Sequence, residues 1–172
     1  MDKKKIFLYF RQTDTATEQS QYTSFSGGDD PASICIPADC IRMINPGKHQ
    51  TPDDDGITIY FDSIHNFKGA NNQADEHVTA DRVVLQLLPT VNITQQTYHK
   101  AFIFGLMSAI EGAKSDPTHN GFITVFDAAD PKSNLYIPVK DQILVDGGIP
   151  NSTRNVITGI QEIKLAVPVT GS

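Results

Sequence analysis

Tryptophan is absent from this chain of 172 residues, and cysteine occurs only at Cys35 and Cys40. Two thiols do not make a disulfide scaffold. With His49 they give a C-x4-C-x8-H spacing that lacks a fourth ligand and a tight Cys knuckle, so no structural zinc site is read. Both thiols are expected to be buried beside a turn. Long apolar runs are missing too. Nothing approaches the ~18 residues of a membrane-spanning helix. The apolar stretch Ile6 to Phe10 stops at Arg11, too short for a secretory core, so the chain is expected to be made and kept in a cytosol. Basic residues are outnumbered, 14 Lys and Arg against 20 Asp and Glu, for a net charge of −6. That balance argues against nucleic acid as a partner, because phosphate binding needs clustered cations. Lys3-Lys4-Lys5 is the one basic run and reads as a solvated terminus. No phosphate-binding loop or dinucleotide fingerprint is present. Gly27-Gly28 and Gly147-Gly148 lack the helix that would follow such a loop.

The composition is that of one domain over residues 1–172, with 39% hydrophobic and 20% charged residues. One phrase occurs twice. Ile34-Cys35-Ile36-Pro37-Ala38-Asp39-Cys40-Ile41 is echoed by Leu135-Tyr136-Ile137-Pro138-Val139-Lys140-Asp141-Gln142-Ile143. Apolar residues lead to a Pro, a small turn carrying an Asp, and a second apolar stretch. Proline has no N–H and interrupts a ladder, so each copy predicts strand, corner, strand.

Further strands are expected at Lys5–Arg11, 57–62, Arg82–Leu88, Phe122–Phe126 and Ile160–Val167, from their alternation and β-branched content. Strand 40–44 should pair with 57–62 as a hairpin, and Phe122–Phe126 with the stretch holding Leu135, Ile137 and Val139. Arg82–Leu88 is apolar on both faces and should be central and covered on both. Residues 12–33 form a long polar loop or arm. One helix is predicted over about 94–113, with Thr94 as N-cap. Tyr98, Ala101, Phe102, Gly105, Leu106, Ala109 and Ile110 make its apolar stripe. The expected fold is α+β, mainly β: an antiparallel sheet or a small barrel or sandwich with one amphipathic helix.

Ile103, Phe104 and Met107 lie outside that stripe and make residues 101–107 apolar nearly all round. They are the candidate interface residues. Catalytic candidates are weak by comparison. His49, His65, His77 and His119 fall in or beside polar loops, and His99 lies early in the helix. Ser63-Ile64-His65 has no nucleophile elbow around it. Asp127 and Asp130 flank a turn, where carboxylates bond local N–H groups. Asp53-Asp54-Asp55-Gly56 lacks the alternating oxygens and closing Glu of a calcium loop and reads as a turn. No catalytic residue, metal or cofactor is assigned.

The short opening strand, the Ile36-Pro37-Ala38-Asp39-Cys40-Ile41 corner, the Gly56–Ser63 strand, one helix and the Tyr136-Ile137-Pro138-Val139 corner together resemble small β-rich virion structural proteins of tailed bacteriophages. The likeness is to head decoration or auxiliary proteins, and less closely to tail or head–tail connection proteins. It extends over most of the chain, contains no diagnostic motif and transfers no functional residues. It implies a non-enzymatic protein that is made in a host cytoplasm, oligomerises and docks with other virion proteins on a capsid lattice. A carbohydrate- or ligand-binding module using Tyr22, Tyr60 and Tyr136, and a small hydrolase using a loop Asp/His pair, are the alternatives.

Overall fold

Alternating burial starts the fold. In β1 (Phe7–Arg11), Leu8 and Phe10 are fully buried while Phe7, Tyr9 and Arg11 face outward. A strand places successive side chains on opposite faces, so one apolar row enters the core. The computed structural model describes residues 4–12, 33–47, 56–62, 81–88, 96–141 and 152–164. Within them β1 is followed by β2 (Ser33–Pro37), a 3-10 turn at Ala38–Cys40, β3 (Ile41–Pro46), β4 (Gly56–Phe61) and β5 (Asp81–Leu87). The helix α1 (Gln96–Ser115), β6 (Phe122–Asp127), a 3-10 turn at Pro131–Ser133, β7 (Pro138–Asp141), β8 (Ser152–Asn155) and β9 (Ile157–Lys164) complete the order. The fold is α+β and mainly β, built on open sheets.

β3, β4, β5 and β9 form a four-stranded sheet, antiparallel throughout. The expected long-loop hairpin is its β3–β4 pair, with Ile41 opposite Phe61. β5 runs through the interior as its sequence requires. Val83, Leu85 and Leu87 are buried on one face, and Val84 (3% exposed) and Arg82 (6%) on the other. Arg82 keeps its charge compensated there, because Nε and Nη2 donate to the two carboxylate oxygens of Glu162 at 2.9 and 3.3 Å. A guanidinium buried without such a fork would be strongly destabilising.

The three-stranded sheet has the order β2-β1-β6. β2 joins β1 antiparallel, but β6 joins β1 parallel, with Phe7 opposite Phe122. At the start of this junction Gly121 has φ +81°, and a Cβ there would meet the Lys5 carbonyl oxygen at 2.8 Å. Only glycine fits both constraints.

The two Ile-Pro phrases build different things. Around Pro37 the expectation holds: β2 ends, the 3-10 turn follows, and β3 begins in the other sheet. Ala38 N–H donates to Ile6 O, and Asp62 N–H to Cys40 O, so the corner is hydrogen-bonded to both sheets. Around Pro138 it does not hold. Leu135–Ile137 is not a strand, and Pro138 opens β7 instead of closing a strand. β7 pairs with β8 in a two-stranded sheet, so the expected hairpin with β6 reduces to one backbone–backbone bond, Leu135 N–H to Thr124 O. The reason is packing. Leu135–Ile137 lies along α1, with Ile137 against Gly105, and Asn155 satisfies its backbone. Asn155 Oδ1 accepts from Ile137 N–H at 3.0 Å, and its Nδ2 donates to Leu135 O at 2.9 Å. The 12–33 arm from residue 13 to 32, Thr94, the aspartates at 53–55 and the stretch 142–145 lie outside the described residues.

Candidate functional site

α1 organises the surface. Tyr98, Phe102, Leu106, Ile110 and Ala113 are buried at helical spacing. Two polar anchors fix its first turns. Tyr98 Oη donates to Lys140 O at 3.2 Å, and His99 Nε2 lies 2.9 Å from Gly56 O. His99 is 7% exposed, so this histidine ties the helix to β4. The helix runs two residues beyond its expected end, past Gly112, to Ser115.

The three candidate interface residues divide. Ile103 turns inward, half-buried against the core. Phe104 is 71% exposed and Met107 44% exposed, one helical turn apart on the outer face. Tyr136, 61% exposed, precedes the Ile137 that packs on Gly105. Phe104 and Tyr136 are thus the chain neighbours of the Gly105–Ile137 side-chain contact.

A second apolar surface covers the outer face of the three-stranded sheet. Phe7 and Phe122 are 38% and 42% exposed, and the Tyr9 and Phe122 rings lie 5.6 Å apart. Cys35 shares this face opposite Tyr9. The thiols are therefore not buried as expected. Cys35 is exposed because Ile36 takes the inward position, and Cys40 is half-buried at the corner. Both are free, and partial burial pushes the Cys35 thiol up from its ordinary pKa.

Between the end of α1 and the outer edge of β6 lies an open cleft of about 350 Å³. Ala109, Gly112 and Ala113 line its helix side, Ile123, Thr124 and Leu135 its strand side, and Asp116 and His119 one end. The Asp116 carboxyl is held below the ordinary carboxylate range, first by Thr118, whose hydroxyl and N–H both donate to Oδ1 at 2.7 and 2.8 Å. His119 Nδ1 accepts the Gly121 N–H at 2.9 Å, which leaves Nε2 as the protonated nitrogen of the neutral ring. The Ser133 hydroxyl at the cleft donates to Asp130 O at 2.9 Å. Asp, His and Ser thus meet at one cleft, but each is engaged with local backbone. No serine–imidazole bond joins them, and that bond is the defining geometry of an activated nucleophile.

The other acidic candidates behave as turn residues. Asp127 Oδ1 accepts from Ala129 and Asp130 N–H. Among the described residues no three His, Cys, Asp or Glu side chains gather as a metal site. His49, His65, His77 and Tyr22 lie outside the described residues, and Tyr60 is half-buried in β4. Comparison with protein-family models, with curated proteins and with solved structures gave no match.

Proposed function

We propose that the protein is a non-enzymatic virion structural protein of the capsid-decoration type, which self-associates and docks on a protein lattice through the outer face of α1. The observation that carries this reading is the pairing of Phe104 and Met107, two large apolar side chains exposed at adjacent turns of a helix whose opposite face is fully packed. A phenylalanine left in water forgoes ~2 kcal/mol that burial would return. Tyr136, next to the Ile137 that packs on Gly105, is a further exposed ring, which can stay apolar on its faces while its hydroxyl is hydrated. Hot spots of protein interfaces are built from such aromatic anchors.

The test is Phe104→Asp. The wild type should form oligomers by light scattering at high protein concentration, and the variant should be monomeric with an unchanged circular dichroism spectrum. A wild-type protein that stays monomeric at all concentrations and binds no capsid particle would refute the reading. A carbohydrate- or ligand-binding module is the second reading, favoured by the aromatic residues Phe7, Tyr9 and Phe122 on the outer face of the three-stranded sheet. It predicts that a soluble ligand quenches tyrosine fluorescence in the wild type and not in Tyr9→Ala.

A further inference from the structure

Asn120-Gly121 is the one Asn-Gly pair in the sequence, and it sits at the joint where β6 meets β1. An Asn followed by Gly is the least hindered setting for attack of a main-chain nitrogen on a side-chain amide, because no Cβ on the second residue crowds the approach. The joint cannot exchange that glycine for a larger residue. Gly121 has φ +81°, and a Cβ there would meet Lys5 O at 2.8 Å. The fold therefore retains the reactive pair at this position.

Two hydrogen bonds converge on the atoms that would react. The Asn120 carboxamide oxygen accepts the Phe122 N–H at 2.9 Å. The ring closed by this Asx turn contains both Asn120 Cγ and the Gly121 nitrogen, the two atoms that must join. The same bond puts a donor on the oxygen that gains negative charge when Cγ is attacked. The second bond is on the nucleophile. Gly121 N–H donates to His119 Nδ1 at 2.9 Å, so the lone pair of a neutral imidazole faces the proton that must leave before this nitrogen can attack. A backbone carbonyl in that place would only hold the proton, whereas an imidazole can take it. The backbone of the base is fixed as well. His119 N–H donates to Asp116 O at 3.3 Å, and Lys4 Nζ donates to the same oxygen at 2.6 Å. Asn120 is exposed, so water reaches the site.

We infer that Asn120-Gly121 is a site of self-modification, at which His119 serves as the base for closure of a succinimide and release of ammonia. The Gly121 N–H proton passes to His119 Nδ1, and the nitrogen bonds to Asn120 Cγ. The tetrahedral carbon then expels Nδ2, which takes the proton back from His119 and leaves as ammonia. Solvent water opens the ring at one of its two carbonyls, giving aspartate or isoaspartate at position 120. Nothing is oxidised or reduced. The isoaspartate product carries one more carbon in the main chain, directly before β6. The joint has little room for it. Gly121 O accepts the Phe7 N–H at 2.8 Å, and Lys5 O crowds Gly121 from the same strand's side. The modified chain should lose the pairing of Phe7 with Phe122 first, which loosens β6 from β1. The joint between the two strands thus ages at a rate set by His119. This inference does not depend on the virion reading.

The test incubates the full chain in neutral buffer, either folded or unfolded in guanidinium chloride. Asn120 is followed by peptide mapping with mass spectrometry, which reads the mass gain of deamidation and the isoaspartate peptide. Modification should be faster in the folded chain than in denaturant, where the Asn-Gly pair keeps only its intrinsic reactivity. His119→Ala should slow the folded chain about tenfold and leave the rate in denaturant unchanged. His119→Gln, whose side chain can accept the Gly121 N–H but is not basic, should be as slow as His119→Ala. Circular dichroism checks that both variants fold, and the wild-type comparison decides alone if they do not. The purified isoaspartate form should exchange its Phe7 amide faster by NMR than the unmodified protein. Slower modification in the folded wild type than in denaturant, or a folded rate indifferent to loss of His119, would overturn the proposal.

Discussion

Gly105 and Gly112 sit in the same helix, yet the same substitution should move stability in opposite directions. In a helix interior Gly→Ala stabilises by ~1 kcal/mol, because alanine has less backbone freedom to lose. At Gly112 a Cβ meets nothing within 4 Å, so the full gain should appear. At Gly105 a Cβ would lie 2.6 Å from both Cδ1 and Cγ1 of Ile137 and 2.9 Å from its Cγ2. Ile137 is 6% exposed, and Asn155 holds its backbone on the other side, so the whole side chain must shift into packed surroundings. Overpacking of this kind costs ~1–3 kcal/mol. Set against the propensity gain, Gly105→Ala should destabilise by about 1 kcal/mol, and the two variants should differ by about 2 kcal/mol. Urea unfolding with a slope of about 2 kcal/mol/M would separate their midpoints by about 1 M. Ile137→Val removes one of the colliding carbons, so in the Gly105→Ala background it should cost less than it does alone. If both alanine variants stabilise equally, Gly105 and the Ile137 side chain do not approach as described.

Asn155→Ala removes both side-chain bonds to the backbone of Leu135 and Ile137 and should destabilise by about 2 kcal/mol, read as a lower urea midpoint at unchanged slope. Thr118→Val deletes the hydroxyl that most lowers the Asp116 pKa, so the carboxyl should titrate at higher pH when followed by NMR. The sign follows from the depressed pKa. The Thr118–Asp116 bonds stabilise the fold above the unfolded carboxyl pKa of about 3.9, and that contribution is lost as pH falls through the folded value. An unmoved titration in Thr118→Val would show the bond to be unimportant in solution. Phe104→Asp should change the monomer's unfolding free energy by less than about 0.5 kcal/mol in urea titration, as for other exposed sites.

Local pattern carried the sequence reading where local pattern decides. The two-sided apolarity of Arg82–Leu88 became the interior strand β5, and the stripe from Tyr98 to Ile110 became the packed face of α1. The repeated Ile-Pro phrase misled at its second copy. Whether Pro138 ends or begins a strand depends on Gly105 and Asn155, which lie 33 and 17 residues away. Of the candidate site, Phe104 and Met107 were visible as apolar residues off the stripe. Ile103 could not be told from them, because whether it packs inward depends on neighbours outside the helix. The cleft at β6 was invisible. It forms where the end of α1, the parallel strand β6 and the Leu135 backbone meet, and no local pattern places those three together.

That parallel pairing also bears on how the chain is made. Phe7 must find Phe122, so the bond between β1 and β6 encloses the four-stranded sheet's first three strands and all of α1 in one loop. At ordinary translation speeds β1 would leave the ribosome roughly ten seconds before β6. Through that interval β2 is its partner in the sheet, and the β6 edge stays unpaired. Contacts of such long range are slow to form, since the loop entropy is lost before the pairing compensates it. Closure of the three-stranded sheet should therefore be slow, and truncation before Phe122 should leave the aromatic β1 edge open to aggregation.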